Sequence, residues 1–275
     1  DSIREEMRAV WLTTVYGLDW PKDRADTPDG VRRQKESLVR ILDRLKQDGY
    51  NTVFLQVRHS GTTIYPTNYE PLSSRLAGEG YFGDYDPVRF ALTECRRRGL
   101  SMHAWFVTYP LASSKRSPHP ILRDHPSWAI HHKGSYHLDP GNPEVRSYVA
   151  HLVTDFLRRY AVDGIHFDYF RYPEEAERFN DKSSFIAHGL RHPDREAWRR
   201  DNLTRQLREV QDSLRSIRSQ ALVSVAPLGK LQKIPDLGRP HGWTAYESVY
   251  QDPVTWGKEG LVDFVVPMMY YRDVL

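Results

Sequence analysis

The sequence predicts an α/β protein of the TIM-type (β/α)8 barrel class, with about six β/α units visible in its 275 residues. Four times, an amphipathic helical stretch runs through a Gly-containing stop into a short β-rich segment, as in LDRLKQDG-YNTVFLQV and DFLRRYAVDG-IHFDYF. Successive units of this kind build a parallel sheet. No Gly-rich phosphate loop follows the first strand, and polar or aromatic residues end nearly every strand. Both features favour a barrel over a doubly wound sheet.

The predicted elements follow one another along the whole chain. A helix from about Glu144 to Tyr160 begins after Asn142, which is predicted as an N-cap with Pro143 at the first helical position. A long polar helix is expected from about Arg195 to Ser219. The strands are expected at about 7–14, 52–58, 101–107, 164–169, 221–227 and 262–270.

Residues 1–275 are expected to form one catalytic-type barrel domain. A closed barrel of this class needs eight strands, but only six are predicted, and the sequence ends at Leu275, where a seventh unit should begin. Either the protein continues beyond Leu275 or the fold is a shortened relative of the barrel. An open sheet would leave its first and last strands with unpaired edges.

Composition excludes several classes of function. The 39 Lys and Arg residues nearly balance 36 Asp and Glu, so a net charge of +3 predicts no dedicated nucleic-acid module. The longest apolar runs fall far short of the roughly 20 residues that cross a bilayer, so no transmembrane segment is expected. The single cysteine, Cys95, forbids an internal disulfide. No cofactor is expected, and the oligomeric state is not predicted.

Asp168 is the principal candidate for a catalytic residue. It ends the predicted strand GIHFD, in which alternation of side chains directs His166 and Asp168 into the barrel. A carboxylate at the C-terminal end of a barrel strand, followed by Tyr169 and Arg171, suits a nucleophile or charge stabiliser in glycoside cleavage. The alternative is a structural Asp that caps the following loop or pairs with Arg171.

The same alternation predicts a pocket lined by hydrogen-bonding groups and flat aromatic faces. Sugars present hydroxyl groups at their edges and C–H groups on their faces, so this lining matches a carbohydrate better than a phosphate or an apolar ligand. The predicted substrate-binding residues are Gln56, Arg58, His103, Trp105, His166, Tyr169, Arg171 and Tyr270.

Several other polar residues belong to types that could take part in chemistry. His119, His125 and the pair His131-His132 raise the question of a metal, but no H-E-x-x-H or comparable ligand spacing occurs, and no metal is expected. The motif His166-x-Asp168 keeps open a metal-dependent amidohydrolase. Asp139 is interpreted as a residue that fixes a turn rather than one that contacts substrate.

The motifs taken together resemble a known bacterial family. MRAVWLTTVYGLDWP, YNTVFLQVRHSGTTIYPTNYEPLS, HLDPGNPEVRSYV, DGIHFDYFRYP and VDFVVPMMYY look like the YngK/DigH-type glycoside-hydrolase-like family, glycosyl hydrolase-like 10. The resemblance implies a (β/α)8 barrel that continues beyond Leu275 and a substrate of peptidoglycan glycan strands stripped of their stem peptides. It also implies export to the periplasm or cell surface, with possible lipid anchoring through a removed N-terminal segment. By resemblance, Asp168 matches the strand-four acidic motif, and Arg58 and the run His103–Trp105 match pocket-lining positions.

Glycoside hydrolysis normally uses two carboxyl groups. Similarity to alpha-galactosidase-like barrels places the second one after strand six and implies Asp273. The chain departs from the family pattern at three places: Thr62 replaces an acid, Asp168 stands where many relatives have two Asp residues, and Met268 stands in place of an amide. These departures keep open a second function, a noncatalytic glycan-binding barrel.

Overall fold

The protein is described by a computed structural model that covers residues 6–78, 83–111, 118–235 and 242–270. Within these residues the strands are β1 (Ala9–Leu12), β2 (Thr52–His59), β3 (Thr62–Thr63), β4 (Ser101–Val107), β5 (Pro110–Leu111), β6 (Ala129–His132), β7 (Ser135–Leu138), β8 (Gly164–Asp168), β9 (Leu222–Val225) and β10 (Phe264–Val265). The helices are α1 (Pro28–Gln47), α2 (Pro87–Arg97), α3 (Pro120–Asp124), α4 (Pro143–Arg159), α5 (Lys182–His188), α6 (Arg195–Ser216), α7 (Ala245–Ser248) and α8 (Pro253–Lys258). Short 3-10 helices occupy Val15–Gly17, Pro126–Trp128 and Ala176–Arg178.

Strand order identifies the fold class. Six strands hydrogen-bond in the order β1-β2-β4-β8-β9-β10, and β3 pairs with β2 in the antiparallel direction. The pairs β1/β2, β2/β4 and β9/β10 are parallel. Each new strand is added beside the preceding one, without the reversal of order that marks a doubly wound sheet. The predicted barrel class, with its six β/α units, is therefore confirmed.

The predicted strands are present: β2, β4 and β8 agree with the prediction to within one residue, whereas β1, β9 and β10 are shorter than predicted. β1 stops at Leu12 because the next backbone N–H groups are taken by side chains: Thr13 N–H donates to Asp19 Oδ2 at 2.9 Å, and Thr14 N–H donates to Gln56 Oε1 at 2.9 Å. At the other edge, Pro267 has no N–H to donate, so the regular ladder of β10 ends before it.

A three-stranded antiparallel sheet, in the order β5-β7-β6, has no counterpart among the predicted strands. Lys133 and Gly134 join β6 to β7 with φ values of 48° and 82°. Positive φ at both central residues is the geometry of a type I′ hairpin turn, which normally takes Asn or Gly. The Lys-Gly pair between two short alternating segments was the signal for this hairpin, and Lys is an unusual residue for its first position.

The chain divides into two compact units, which are described separately. The N-terminal unit comprises Asp1–Phe106 and Phe156–His166, and the C-terminal unit comprises Val107–Asp155 and Phe167–Leu275.

In the N-terminal unit, side chains alternate across the strands as predicted. Phe54 of β2 packs against the rings of His103 and His166 at centroid distances of 5.0 and 4.8 Å. On β4, the successive residues Trp105 and Phe106 pack against Trp11 at 4.8 Å and against Phe156 at 5.3 Å. Successive residues on a strand thus contact different groups, which is the basis of the predicted alternation.

In the C-terminal unit, polar side chains fix the helix starts. Asn142 Oδ1 accepts the N–H of Glu144 at 2.9 Å, which confirms the predicted N-cap of α4. Asp194 Oδ1 accepts the N–H of Ala197 at 2.8 Å at the start of α6. The long polar helix is confirmed, and it buries Trp198 completely.

Gly164, at the start of β8, is expected to be intolerant of even one added carbon. A Cβ there would lie 2.1 Å from Nδ1 and 2.5 Å from Cε1 of His103, whose ring is buried in the sheet. We expect Gly164→Ala to lower the free energy of unfolding by about 1–3 kcal/mol, because overpacking forces the ring off its position. Urea unfolding measures the loss. The control is Gly257→Ala in α8, where a Cβ meets nothing within 4 Å; equal stability of both variants would contradict the prediction.

Candidate active site

A cavity of about 360 Å³ lies in the C-terminal unit, next to the segment that follows β8. This volume is within the range of small-molecule sites. The β6–β7 hairpin supplies one part of its wall and residues after Asp168 supply the other. The lining residues are Pro110, His132, Lys133, Ser135, Tyr136, His137, Tyr169, Arg171, Tyr172, Pro173 and Glu174.

Asp168 is held in a defined position at the end of β8, directly before the first lining residue of this segment. Its Oδ1 accepts the N–H of Tyr169 at 2.8 Å. Its carbonyl accepts the N–H and the hydroxyl of Thr108 at 2.9 and 3.0 Å. Tyr169 has φ 47°, a left-handed conformation that is costly for a residue with a large side chain. Such strained positions are concentrated at functional sites.

The ring of Tyr169 and the guanidinium of Arg171 form one wall of the cavity. Arg171 Cζ lies 4.9 Å from the Tyr169 ring centroid and 5.8 Å from that of Trp243, both within cation–π distance. Tyr169 is 45% exposed, whereas Arg171 is only 9% exposed. Two residues predicted to bind substrate are therefore brought together here.

One histidine of the hairpin bonds to the segment after β8, and a second bonds within β7. His132 Nε2 donates to the carbonyl of Glu174 at 2.6 Å, and His137 Nδ1 donates to the carbonyl of Leu138 at 2.6 Å. Burial lowers the pKa of His137 to about 4, so its ring is neutral at pH 7. The segment after β8 is thus tied to the hairpin across the cavity.

The side-chain carbonyl of Gln56, in the N-terminal unit, accepts hydrogen bonds from other residues of the protein. Its Oε1 accepts the Thr13 hydroxyl at 3.0 Å, the Thr14 N–H at 2.9 Å and the Val15 N–H at 2.8 Å. The residue is buried. The structure therefore places this predicted substrate-binding amide where it fixes the turn after β1.

Arg58 forms a buried ion pair with Glu70. Its Nε lies 2.9 Å from both carboxylate oxygens, and its Nη2 lies 2.7 Å from Oε1. The register between β2 and β4 shifts between Gln56 and Arg58. This irregularity interrupts the strict alternation on which the predicted inward orientation of Arg58 was based. Glu70 is a partner that the sequence analysis did not identify.

His103, Trp105 and His166 form one packed cluster of rings in the N-terminal unit. Trp11 lies 4.8 Å from Trp105 and 4.6 Å from His166, measured between ring centroids. All three predicted residues are buried. Burial lowers the pKa of His166 to about 3 and that of His103 below its usual value.

The remaining candidates are distributed along the C-terminal unit. Tyr270 is 86% exposed, and Asp273 lies outside the described residues. Asp139 fixes a turn, as predicted: Oδ1 accepts the Gly141 N–H at 2.9 Å, and Oδ2 accepts the Ser184 hydroxyl. Burial raises the pKa of Asp139 to about 6.

Neither a donor cluster for a metal nor a membrane-spanning helix is found in the described ranges. There, no group of three or more His, Cys, Asp or Glu side chains could hold a metal ion. No helix of those ranges is both long and apolar enough to cross a membrane.

Buried histidines predict a loss of stability in acid. Burial lowers the pKa to about 4 for His59 and His137 and to about 3 for His166. The unfolded chain therefore binds more protons, and stability should fall as pH decreases from about 6.5 to 4, by up to about 1.4 kcal/mol per pH unit for each histidine. The raised pKa of Asp139 acts in the opposite direction between about pH 4 and 6 and offsets part of this loss.

The measurement is the urea midpoint between pH 4 and 8 for the wild type and His166→Leu. The variant should show a flatter profile, because one titrating group is removed. His131→Leu, at an exposed position of β6, is the control and should keep the wild-type slope. A wild-type midpoint that does not change with pH would contradict the prediction.

The chain is similar in sequence to proteins named glycosyl hydrolases. Residues 6–274 match the family described as glycosyl hydrolase-like 10. The chain is 31% identical over 289 residues to glycosyl hydrolase DigH from Escherichia coli (strain K12), covering 97% of the chain and 66% of that protein. It is 27% identical over 279 residues to glycosyl hydrolase YngK from Bacillus subtilis (strain 168), covering 97% of the chain and 54% of that protein. The chain thus spans less than two thirds of these two relatives.

Among solved structures, alpha-L-fucosidase isoenzyme 2 from Paenibacillus thiaminolyticus is similar in fold, with a TM-score of 0.51 and 14% identity. The similarity covers 82% of this chain and 33% of the fucosidase chain.

Proposed function

Because the chain belongs to the glycosyl hydrolase-like 10 family, we propose that it is a glycoside hydrolase that cleaves peptidoglycan glycan strands. The observation that carries the proposal is the position of Asp168, at the C-terminal end of β8 and next to a cavity lined with rings and hydrogen-bonding groups. Barrel enzymes place their catalytic groups at this end of their strands. The substrate class follows from the family resemblance of the sequence motifs.

The lining supports a saccharide as the ligand. Tyr136 and Tyr169 offer aromatic faces, which pack against the C–H faces of sugar rings. Ser135 and Arg171 offer hydrogen-bonding groups for hydroxyls and other polar substituents. A mixture of apolar faces with a few polar groups is typical of sites that bind small molecules.

Asp168 is assigned the role of nucleophile or base, oriented by the N–H of Tyr169. The second carboxyl group has two candidates. Asp273 is implied by similarity, and Glu174 is the one acidic residue among the described residues that line the cavity. Comparing Asp273→Asn with Glu174→Gln in the cleavage assay distinguishes them, since loss of the catalytic acid reduces the rate by about 10²–10⁴-fold.

Noncatalytic glycan binding is the second candidate function. It is favoured by Thr62, which stands where the family pattern has an acid and whose hydroxyl donates to the carbonyl of His59 at 2.9 Å. A barrel that has lost a carboxylate would keep its affinity for glycans but release no products.

The test uses the full protein, peptide-free glycan strands and chitin oligosaccharides. Products are identified by mass spectrometry, and binding is measured by calorimetry. Cleavage products are the expected result, and binding without products would establish the glycan-binding function instead. A metal-dependent amidohydrolase is a third alternative; rates unchanged by a chelator would exclude it. We further propose that the protein is exported to the periplasm or cell surface, which fractionation of cells would test.

A further inference from the structure

We propose that Arg171 forms a subsite that recognises a carboxylate on the bound glycan, so that the cavity selects acidic over neutral saccharides. The inference rests on the proposed function for the saccharide itself. That the glycan carries a carboxylate is inferred from the burial and the hydrogen bonding of the Arg171 guanidinium. Carboxylate binding is thereby assigned to Arg171, one of the residues that line the cavity.

Arg171 is nine-tenths buried, yet two of the three nitrogens of its guanidinium are not satisfied. Its Nε and Nη1 have no hydrogen-bond partner in the part of the chain that the structure describes. Arginine keeps its charge at all physiological pH values, so it cannot avoid the cost of burial by losing a proton. A buried, unpaired cation is costly, and an anionic ligand would offset that cost.

Two other acids of the C-terminal unit have their own partners. Glu175 pairs with Lys133, with 2.7 Å between Oε1 and Nζ. Asp139 accepts hydrogen bonds from Gly141 and Ser184. Glu174 also lines the cavity, but within the described residues Nε and Nη1 of Arg171 bind no carboxylate, whereas Lys133 is already paired.

The two rings beside Arg171 define how a ligand would reach it. Tyr169 and Trp243 lie 4.9 and 5.8 Å from Cζ by ring centroid. Rings over a guanidinium stabilise its charge and leave the N–H groups at its edge to hydrogen-bond. Partly exposed rings beside a cationic centre favour an acidic sugar, because the rings accept the sugar face while the guanidinium binds the carboxylate.

The substrate class offers such a group. Removing the stem peptide from a peptidoglycan strand leaves a free carboxylate on the sugar that carried it. The probe is therefore a pair of peptide-free glycan strands: the acid form, and the same strands with their carboxyl groups reduced to alcohols. The pair differs in charge and hydrogen bonding but keeps the sugar backbone.

The experiment measures calorimetric affinity and kcat/KM for both strands, with the wild type, Arg171→Gln and Arg171→Lys. We expect the wild type to prefer the acid form by about 10- to 100-fold, as a charge-assisted hydrogen bond implies. Arg171→Gln should lose this preference by weakening much more toward the acid form than toward the alcohol form, and Arg171→Lys should keep part of it. Arg178→Gln, at an exposed position after the cavity segment, is the control and should keep the wild-type ratio.

The outcomes separate the subsite from the proposed function. If the wild type binds and cleaves the acid and alcohol forms equally well, the subsite is overturned while glycan cleavage is left intact. An equal loss toward both strands in Arg171→Gln would also overturn it, because the residue would then act on packing. Absence of both binding and cleavage with either strand would overturn the proposed function and the subsite together. Comparing the two strands with wild-type protein requires no variant, so a misfolded Arg171→Gln cannot conceal the answer.

Discussion

Replacing Asp168 with Asn should reduce glycan cleavage by about 10²–10⁴-fold or more while leaving the melting temperature nearly unchanged. The reaction needs a carboxylate that can attack the sugar or accept a proton, and an amide does neither. Asn also provides an oxygen at Oδ1 that can accept the Tyr169 N–H, so the start of the following segment should be kept. Steady-state rates on peptide-free glycan strands, together with a thermal melt, measure both effects.

The matched control is Asp194→Asn in the same unit. Asp194 caps α6 by accepting the Ala197 N–H at 2.8 Å, and Asn is an equally good N-cap. This variant should retain both activity and stability. Wild-type turnover by Asp168→Asn would refute the assigned role, and a large drop in its melting temperature would assign Asp168 a structural function instead.

The fold was predictable because its signals are local. Each parallel strand follows an amphipathic helix and a Gly-containing stop, so DFLRRYAVDG-IHFDYF predicts α4 and β8 without knowledge of any distant contact. The β6–β7 hairpin was missed because its strands are short and its turn places Lys133 in the left-handed region. That hairpin supplies half of the cavity wall, so the shape of the site could not be predicted.

Some site residues could likewise be predicted from local sequence, and others could not. Tyr169 and Arg171 lie together in the cavity because both directly follow β8, a relation that the sequence contains. Strand alternation predicts inward-facing side chains for Gln56 and Arg58, and the family resemblance adds a pocket-lining position for Arg58. Alternation gives the face of a strand but not the partner, and it cannot anticipate a register shift or a carboxylate such as Glu70 twelve residues away. The family resemblance predicted from the motifs is confirmed, whereas the roles of the individual residues remain predictions.

The pair Arg58–Glu70 carries the largest stability effect that we expect. Both side chains are almost completely buried, at 1% and 0% exposure, and Nη2 lies 2.7 Å from Oε1. Glu70→Gln takes away the carboxylate that balances the buried charge of Arg58, so it should lower the free energy of unfolding by about 3–5 kcal/mol. The control is Glu36→Gln, which breaks the surface pair with Arg32 (57% and 48% exposed for Arg32 and Glu36) and should cost less than about 1 kcal/mol.

The double variant Arg58→Met/Glu70→Leu distinguishes a structural pair from a substrate contact. Replacing both charges by apolar side chains removes the buried charge altogether, so the double variant should recover much of the stability that Glu70→Gln loses. Urea unfolding of the wild type, Glu70→Gln and the double variant measures the recovery. A double variant as unstable as Glu70→Gln would show that this position requires the charges themselves. If the double variant folds but no longer cleaves glycan, Arg58 contributes to substrate binding, as its resemblance to pocket-lining positions implies. If the double variant cleaves glycan normally, the role of Arg58 is to hold the loop that carries Glu70 against β2.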